Sequence, residues 1–157
     1  MKIKNILLLV FSILICLAAG FIGSFFTSSA IPEWYSSLNK PFFNPPNWVF
    51  APVWTILYVL MGISLYFILV TKKQKIKRLT LFFFFIQLLL NTLWSILFFG
   101  LKNPVIAFVE ILFLWGFILL TIIYTYKISR ISSYLLIPYI LWVSFAGILN
   151  ISIILLN

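Results

Sequence analysis

Polar and charged residues divide the chain into five long apolar segments. Residues 5–32, 41–71, 79–101 and 131–157 carry no charged side chain, and residues 103–126 carry only Glu110. Each segment exceeds the roughly 20 residues that cross a hydrocarbon core about 30 Å thick. Apolar and polar residues do not alternate along the segments, as they would in the strands of a membrane barrel. The pattern predicts an all-α integral membrane protein, a single bundle of five transmembrane helices within one domain, 1–157.

The turn residues set the expected ends of these helices. The helices are predicted at about 5–27, 47–71, 79–101, 103–126 and 132–155, with a long loop at 28–46. Pro45 and Pro46 cannot lie inside a helix, because each lacks a backbone N–H and has a fixed φ. The second helix is therefore expected to begin just after them, with Asn47 as its N-cap.

Composition and charge support this interpretation and add an orientation. The chain is 64% hydrophobic with a mean hydropathy of +1.21, which does not describe a soluble domain. One side of the predicted bundle carries nine basic residues: Lys2, Lys4, Lys72, Lys73, Lys75, Lys77, Arg78, Lys127 and Arg130. The other side carries two, Lys40 and Lys102. The positive-inside rule then predicts that the amino terminus lies in the cytoplasm and that the 28–46 loop and the carboxyl terminus lie outside. We expect this multi-pass protein in a bacterial cell membrane.

The scarcity of reactive side chains excludes several kinds of chemistry. One cysteine and no histidine leave no internal disulfide, no Cys- or His-based metal site, no axial histidine for haem and no catalytic triad. We therefore expect no metal and no cofactor. The basic residues are not interleaved with a readout surface, so we expect membrane lipid rather than nucleic acid as their partner.

Three predicted helices carry an aromatic or amide face. The faces are Trp54, Tyr58, Met61 and Gly62 in the second helix, Gln87, Asn91 and Ser95 in the third, and Trp142, Ala146, Leu149 and Asn150 in the fifth. Each face has two interpretations, packing against a neighbouring helix or lining a cavity. A flat apolar cavity near the outer leaflet would suit a planar aromatic or steroid-like ligand.

Glu110 is the single carboxyl at membrane depth, where a charge is costly. It would serve a proton relay or accept a structural hydrogen bond. A relay normally needs further titratable groups at comparable depth, which favours the structural role.

Three stretches of the chain carry a family resemblance: WYSSLNKPFFNPPNWVFAPVWTILYVLMG at 34–62, QLLLNTLWSILFFG at 87–100 and LLIPYILWVSFAGILN at 135–150. In this order they resemble the TspO/MBR family, the tryptophan-rich sensory and translocator proteins once called peripheral benzodiazepine receptors. The resemblance implies a five-helix membrane protein, often a homodimer, whose first long loop is a lid. The pocket under this lid binds porphyrins and related planar hydrophobic molecules.

Carried over position by position, the resemblance also implies a ligand site. Its expected residues are Trp34, Tyr35, Phe50, Ala51, Trp54, Tyr58, Asn91, Trp94, Trp142, Phe145, Ala146 and Leu149. Trp54 and Trp142 are in addition candidate catalytic residues with a redox role, since some members are reported to degrade protoporphyrin oxidatively. The cholesterol motif of animal members is not matched at Ile151 and Leu155, so sterol transport is not implied.

Three functions therefore remain open at this point. The first is a receptor or sensor that binds protoporphyrin-like tetrapyrroles. The second is an enzyme that degrades porphyrins in a reaction dependent on light and oxygen. The third is a transporter of tetrapyrroles or other hydrophobic small molecules.

Overall fold

The computed structural model describes residues 3–157, so that Lys2, counted above on the basic side, lies outside the described residues. Six α-helices follow one another within this range: α1 (Ile3–Ala30), α2 (Asn47–Val70), α3 (Gln74–Ser95), α4 (Pro104–Tyr126), α5 (Arg130–Tyr134) and α6 (Ile137–Leu156). Wider π-helical turns extend α1 through Ile31–Tyr35 and α3 through Ile96–Gly100. Over residues 3–157 these elements make five segments long and apolar enough to cross a membrane, and no strand. The predicted fold class is confirmed.

The helices pack side by side in an order different from their order in the chain. α1 packs along α2 and α3, α3 along α4, and α4 along α6. The short α5 contacts α2 and α4. We call the end with the α2–α3 and α4–α5 turns the basic end, and the end with residues 38–46 and the α3–α4 turn the loop end.

The first helix extends further than the sequence predicted. Residues 28–37, expected to open the loop, continue the helix of α1. Ser28 and Ser29 lie inside the helix, and their hydroxyls donate to carbonyls three residues back, at 3.4 and 3.1 Å. Pro32 has no N–H to donate to the carbonyl of Ser28, and the backbone widens into the π-helical turn at this point. The irregular part of the predicted loop is therefore shorter, residues 38–46.

The predicted fifth helix is divided in two. A turn at Leu135 and Leu136 separates α5 from α6, and Pro138 lies in the first turn of α6. Because Pro138 cannot donate to the carbonyl of Tyr134, a regular helix cannot continue through this point. The second helix begins at Asn47 as expected, although its N-cap residue is Pro46 and no side chain caps it.

The half of the bundle toward the basic end is closely packed. Leu65, Ile68, Phe84 and Ile118 are fully buried there. The hydroxyls of Ser64 and Ser132, 2.8 Å apart, join α2 to α5. Aliphatic packing and paired hydroxyls thus hold the helices together where no water can satisfy a polar group.

Candidate functional site

A cavity of about 520 Å³ lies in the loop-end half of the bundle, between α1, α2, α3 and α6. Ser24, Ala51 and Thr55 line it and are themselves exposed, so the cavity opens sideways between α1 and α2. The expected bilayer surrounds this side of the bundle. A hydrophobic molecule dissolved in the membrane therefore has a direct route into the cavity.

Two pairs of aromatic rings form flat walls in the cavity. The rings of Trp54 and Tyr58, one helical turn apart on α2, have centroids 5.7 Å apart and planes inclined by 30°. On α3 and its π-helical extension, Trp94 stacks on Phe98 with centroids 5.0 Å apart and planes inclined by 20°. All four residues line the cavity. Such nearly parallel ring pairs favour a planar ligand that can stack against their faces.

A glycine on α1 makes room for one of these walls. A Cβ at Gly20 would overlap ring atoms of Tyr58, so only glycine allows the Tyr58 ring to lie against α1. Ser24 and Ser28 follow at intervals of four residues and also line the cavity. Gly20, Ser24 and Ser28 thus form a strip of small residues on the α1 side of the cavity, which leaves space free.

A chain of buried hydrogen bonds closes the floor of the cavity. The Tyr58 hydroxyl donates to Oδ1 of Asn91, and Nδ2 of Asn91 donates to the Tyr139 hydroxyl at 3.0 Å. The Tyr139 hydroxyl in turn donates to Oε1 of Gln87 at 2.8 Å. The amide stripe predicted on the third helix therefore joins α2, α3 and α6, and Asn91 belongs both to this network and to the cavity lining.

A second polar contact fixes Trp94. Its indole N–H donates to Oδ1 of Asn150 at 3.3 Å, and Nδ2 of Asn150 donates to the Pro104 carbonyl at 2.8 Å. Asn150 is thus held by α4 while it orients a wall of the cavity. An aromatic wall held in this way needs little reordering when a ligand binds.

The 38–46 loop is tied down at both of its ends. The Tyr35 hydroxyl donates to Oδ1 of Asn44 at 2.9 Å, and Nζ of Lys40 lies 4.9 Å from the centroid of the Tyr35 ring. Asn39 and Asn157 exchange backbone-to-side-chain hydrogen bonds of 2.9 and 3.0 Å. Tyr35 lines the cavity, whereas none of residues 38–46 is among the lining residues, so the loop is held beside the cavity by Tyr35 and its role as a lid stays a prediction.

The structure brings nine of the twelve predicted ligand-binding residues to this cavity: Tyr35, Phe50, Ala51, Trp54, Tyr58, Asn91, Trp94, Ala146 and Leu149. The other three, Trp34, Trp142 and Phe145, are not among the lining residues. Trp34 packs edge-on against Phe98, behind the wall that Phe98 forms. Of the two candidate redox residues, Trp54 therefore lines the cavity and Trp142 does not.

Trp142 lies on the far side of a lining residue. Its ring is edge-on to that of Phe50, with centroids 6.2 Å apart, and tilted against that of Phe145 at 5.5 Å. Trp142 is one turn nearer the basic end than Ala146, and its ring lies on the side of α6 that faces Val53 and Leu57 of α2. It faces instead a lipid-side groove between α2 and α6.

The sequence interpretation missed the contribution of α1. Its lining residues are Leu17, Gly20, Phe21, Ser24, Thr27, Ser28 and Ile31. The small residues among them, at helical spacing, were the available signal, but the same pattern also indicates close helix packing. Outside α1, lining residues beyond those predicted are Asn47, Thr55, Ser95, Phe98, Phe99, Asn150 and Ile153.

Glu110 is buried on α4 and does not line the cavity. Within residues 3–157, neither of its carboxyl oxygens has a hydrogen-bond partner, and neither does Nε2 of Gln87. The structural hydrogen bond predicted for Glu110 is therefore not among the contacts in the described part of the chain. The same residues contain no cluster of three His, Cys, Asp or Glu side chains that could hold a metal ion.

Comparisons with known proteins agree with this architecture. The profile of the TspO/MBR family matches residues 12–156. The chain is 52% identical to the tryptophan-rich protein TspO of Archaeoglobus fulgidus, over 98% of this chain and 99% of the relative. It is 46% identical to the tryptophan-rich protein TspO of Chlorobaculum tepidum, over 98% of both. It is 37% identical to the translocator protein of Bos taurus, over 83% of this chain and 79% of the relative. The chain therefore belongs to the TspO/MBR family and is a multi-pass integral membrane protein.

Proposed function

We propose that the protein is a membrane receptor that binds porphyrins and related planar hydrophobic molecules in the cavity between α1, α2, α3 and α6. The observation that carries the proposal is a cavity of about 520 Å³ with two flat aromatic walls. This volume falls within the roughly 300–1,000 Å³ of small-molecule sites. A planar ring system could stack on either wall.

The chemistry of the lining favours such a ligand over a polar one. Binding would come from buried apolar area, at roughly 25 cal/mol per Å² before the costs of association. Each well-placed aromatic contact adds about 0.5–1.5 kcal/mol. Tyr58 and Asn91 have hydrogen-bond partners within the floor network, so a ligand rich in hydroxyl or charged groups would lose its water without adequate replacement.

Porphyrin photo-oxidation is a second candidate function, and one observation favours it. Trp54 places an electron-rich indole in the cavity wall. Light would excite the bound porphyrin, and molecular oxygen would accept the electrons that the porphyrin loses. Trp54 would relay them, since its indole, once oxidised, would recover its electron from the porphyrin, so that only the porphyrin is consumed. Trp142 would be separated from the bound porphyrin by the ring of Phe50.

Transport remains a third candidate function. The lateral opening between α1 and α2 would serve entry from the membrane equally well for a receptor and a transporter. Uptake of protoporphyrin into sealed vesicles containing the purified protein distinguishes the two. For a receptor, the protoporphyrin retained by the vesicles should not exceed one molecule per binding site, whereas a transporter should accumulate more.

Titration of the purified protein with protoporphyrin tests the proposed receptor function. We expect a shift in the porphyrin absorption band that saturates at one ligand per chain. Trp54→Ala should weaken the binding, because it removes one side of a wall. A linear, unsaturable change in absorption would mean that the porphyrin only partitions into detergent or lipid.

We further propose that the protein lies in a bacterial cell membrane with the basic end in the cytoplasm, as a homodimer. The charge distribution supports the orientation. Cysteines placed at exposed Ser37 and at exposed Gln74, in a Cys16→Ser background, should react with a membrane-impermeant thiol reagent from opposite sides of intact cells. Reaction of the residue 74 cysteine from outside would reverse the orientation.

A further inference from the structure

A second apolar depression lies on the lipid-facing surface between α2 and α6. It has a volume of about 410 Å³ and is lined by Val53, Ile56, Leu57, Pro138, Leu141 and Trp142. Ile56 and Leu141 are exposed, so the depression faces the surrounding membrane rather than the interior of the bundle. We call it the α2–α6 groove.

The groove exists because the backbones of α2 and α6 scarcely approach one another. α2 packs closely along α1, and α6 along α4, whereas α2 and α6 are joined toward the basic end through α5. Side chains alone fill the remaining seam. An apolar seam of this kind accommodates a hydrocarbon chain, because hydrocarbon gains contact there without losing any hydrogen bond.

An exposed strip leads from the groove to the basic end. Tyr134, Pro138 and Leu141 are exposed at intervals of four and three residues along α5 and α6. Arg130, one turn before Tyr134, starts the strip, and its guanidinium lies 5.6 Å from the centroid of the Tyr126 ring at the end of α4. A chain lying on this strip would therefore have a guanidinium group at one end and the groove at the other.

Several cations meet at the head of the strip. Nζ of Lys73 donates to the Lys127 carbonyl at 2.7 Å, which brings the α2–α3 turn against the α4–α5 turn that holds Arg130. Lys72, Lys73 and Arg130 are all exposed. The chain's two acidic residues lie elsewhere, Glu33 beside the loop end and Glu110 buried in α4. The cations are therefore available to an anion from outside the chain, and the guanidinium geometry suits a phosphate.

The spacing of the two features matches a phospholipid. Leu57 lies about 20 Å along α2 from Val70, the last residue before the turn that carries Lys72 and Lys73, at the ~1.5 Å rise per residue. A leaflet contributes about 15 Å of hydrocarbon and about 5–7 Å of headgroup region. An acyl chain whose phosphate meets the basic turns would thus end in the groove.

We propose that the seam between α2 and α5–α6 is a binding site for one anionic phospholipid. Its phosphate contacts Arg130 and Lys73, and the end of one acyl chain fills the α2–α6 groove against Trp142. The bound chain supports Trp142 from the lipid side, and Trp142 supports Phe50, which lines the cavity. The site does not depend on what the cavity binds.

Native mass spectrometry of the full chain, released from micelles with defined lipids, tests the proposal. We expect one phosphatidylglycerol to be retained per chain and phosphatidylcholine with the same acyl chains to be retained far less. Arg130→Gln and Lys73→Gln should each weaken phosphatidylglycerol retention about fivefold, from the electrostatic contribution of one basic side chain at a lipid surface. Lys102→Gln, a basic residue at the loop end, is the matched control and should change nothing. Equal retention of the two lipids, or no effect of the Arg130 and Lys73 variants, would overturn the headgroup assignment.

A second pair of variants tests the acyl chain in the groove. Leu141→Trp should fill the groove and lower phosphatidylglycerol retention about tenfold, while Leu112→Trp on the exposed face of α4 should not. Phosphatidylglycerol brominated near the chain ends should quench wild-type fluorescence more than that of Trp142→Phe, and Leu141→Trp should remove this difference. Retention unchanged in Leu141→Trp would overturn the acyl-chain part of the site. If soluble glycerol phosphate displaced phosphatidylglycerol as effectively as a second phospholipid does, that result would also overturn the acyl-chain part of the site.

Thermal unfolding without added lipid separates loss of the site from loss of the fold. Apart from Trp142→Phe, all variants change exposed residues and should unfold at the wild-type temperature under that condition. Added phosphatidylglycerol should raise the unfolding temperature of the wild type more than that of Arg130→Gln. An equal rise in both would again contradict the headgroup contact.

Discussion

The two halves of the bundle are built from similar residues but differ in how tightly they pack. Toward the basic end, leucine, isoleucine and phenylalanine side chains are fully buried, and α2 and α5 are joined by paired serine hydroxyls. Toward the loop end, the same kinds of apolar residues surround a cavity of about 520 Å³. Hydrophobicity alone therefore does not determine where a membrane bundle is solid and where it is hollow.

The glycines account for much of the difference. At Gly62 in the closely packed half, the missing Cβ lets the backbone of α1 approach α2 directly at Ile13. At Gly20 in the hollow half, the equivalent space is taken by the ring of Tyr58. Backbone against backbone closes the seam between two helices, whereas a ring inserted between them keeps the helices apart.

The largest expected effect is on stability, at Gly62. Gly62→Ala places a Cβ into the backbone of Ile13, so we expect destabilisation of at least ~1–3 kcal/mol, the usual cost of overpacking. Gly116→Ala is the control, since a Cβ there meets no atom within 4 Å. It should be neutral or slightly stabilising, because alanine is the better helix former. Thermal unfolding in detergent measures the stability of both variants. Equal unfolding temperatures for Gly62→Ala and Gly116→Ala would show that α1 and α2 can move apart at no cost in stability.

The next effect is on binding, at Ala146. Ala146→Phe should fill part of the cavity and weaken protoporphyrin binding about ten- to a hundredfold, the equivalent of ~1–3 kcal/mol. Ile148→Phe on the exposed face of α6 should leave binding unchanged. Absorption titrations compare the two variants. An unchanged dissociation constant in Ala146→Phe would place the ligand outside this cavity.

At the two predicted redox residues we expect a small effect on protoporphyrin binding and a larger effect on its light-dependent conversion. Trp54→Phe and Trp142→Phe each keep an aromatic ring, so binding should fall by no more than about tenfold (~1.4 kcal/mol). Any light-dependent conversion of protoporphyrin should fall more in Trp54→Phe than in Trp142→Phe, since only Trp54 lines the cavity. Product analysis under light and oxygen measures this. Full conversion by the double variant, or conversion in the dark, would exclude the mechanism.

The five membrane segments could be predicted from the sequence because the length of an apolar run follows directly from the thickness of the membrane. The end of the first helix could not, because Ser28, Ser29 and Pro32 have loop propensities that local hydrogen bonds and a π-helical turn override. The division of the fifth segment at Leu135 and Leu136 likewise depends on where the helix around Pro138 is interrupted.

The residues of the candidate site could likewise be predicted from the sequence only in part. Residues carried over from the family resemblance reached the cavity where a whole face of a helix turns inward, as for Trp54 and Tyr58 on α2. Trp142 is one turn from Ala146 on α6, yet it lies behind Phe50 and lines the α2–α6 groove instead. Which of the two residues reaches the cavity depends on how α6 packs against α2, and the pattern of α6 alone does not contain that information.

The central claim is that the loop-end cavity holds the ligand, and two adjacent serines test it most directly. Ser28 and Ser29 are both exposed, and each donates to a carbonyl three residues back, but only Ser28 lines the cavity. Single cysteines at these positions, in a Cys16→Ser background, should react with a small thiol reagent at similar rates without ligand. Saturating protoporphyrin should slow the reaction at position 28 at least about tenfold, as expected for a site more than ~90% occupied, and leave position 29 unchanged. Equal rates at position 28 with and without protoporphyrin would contradict the account.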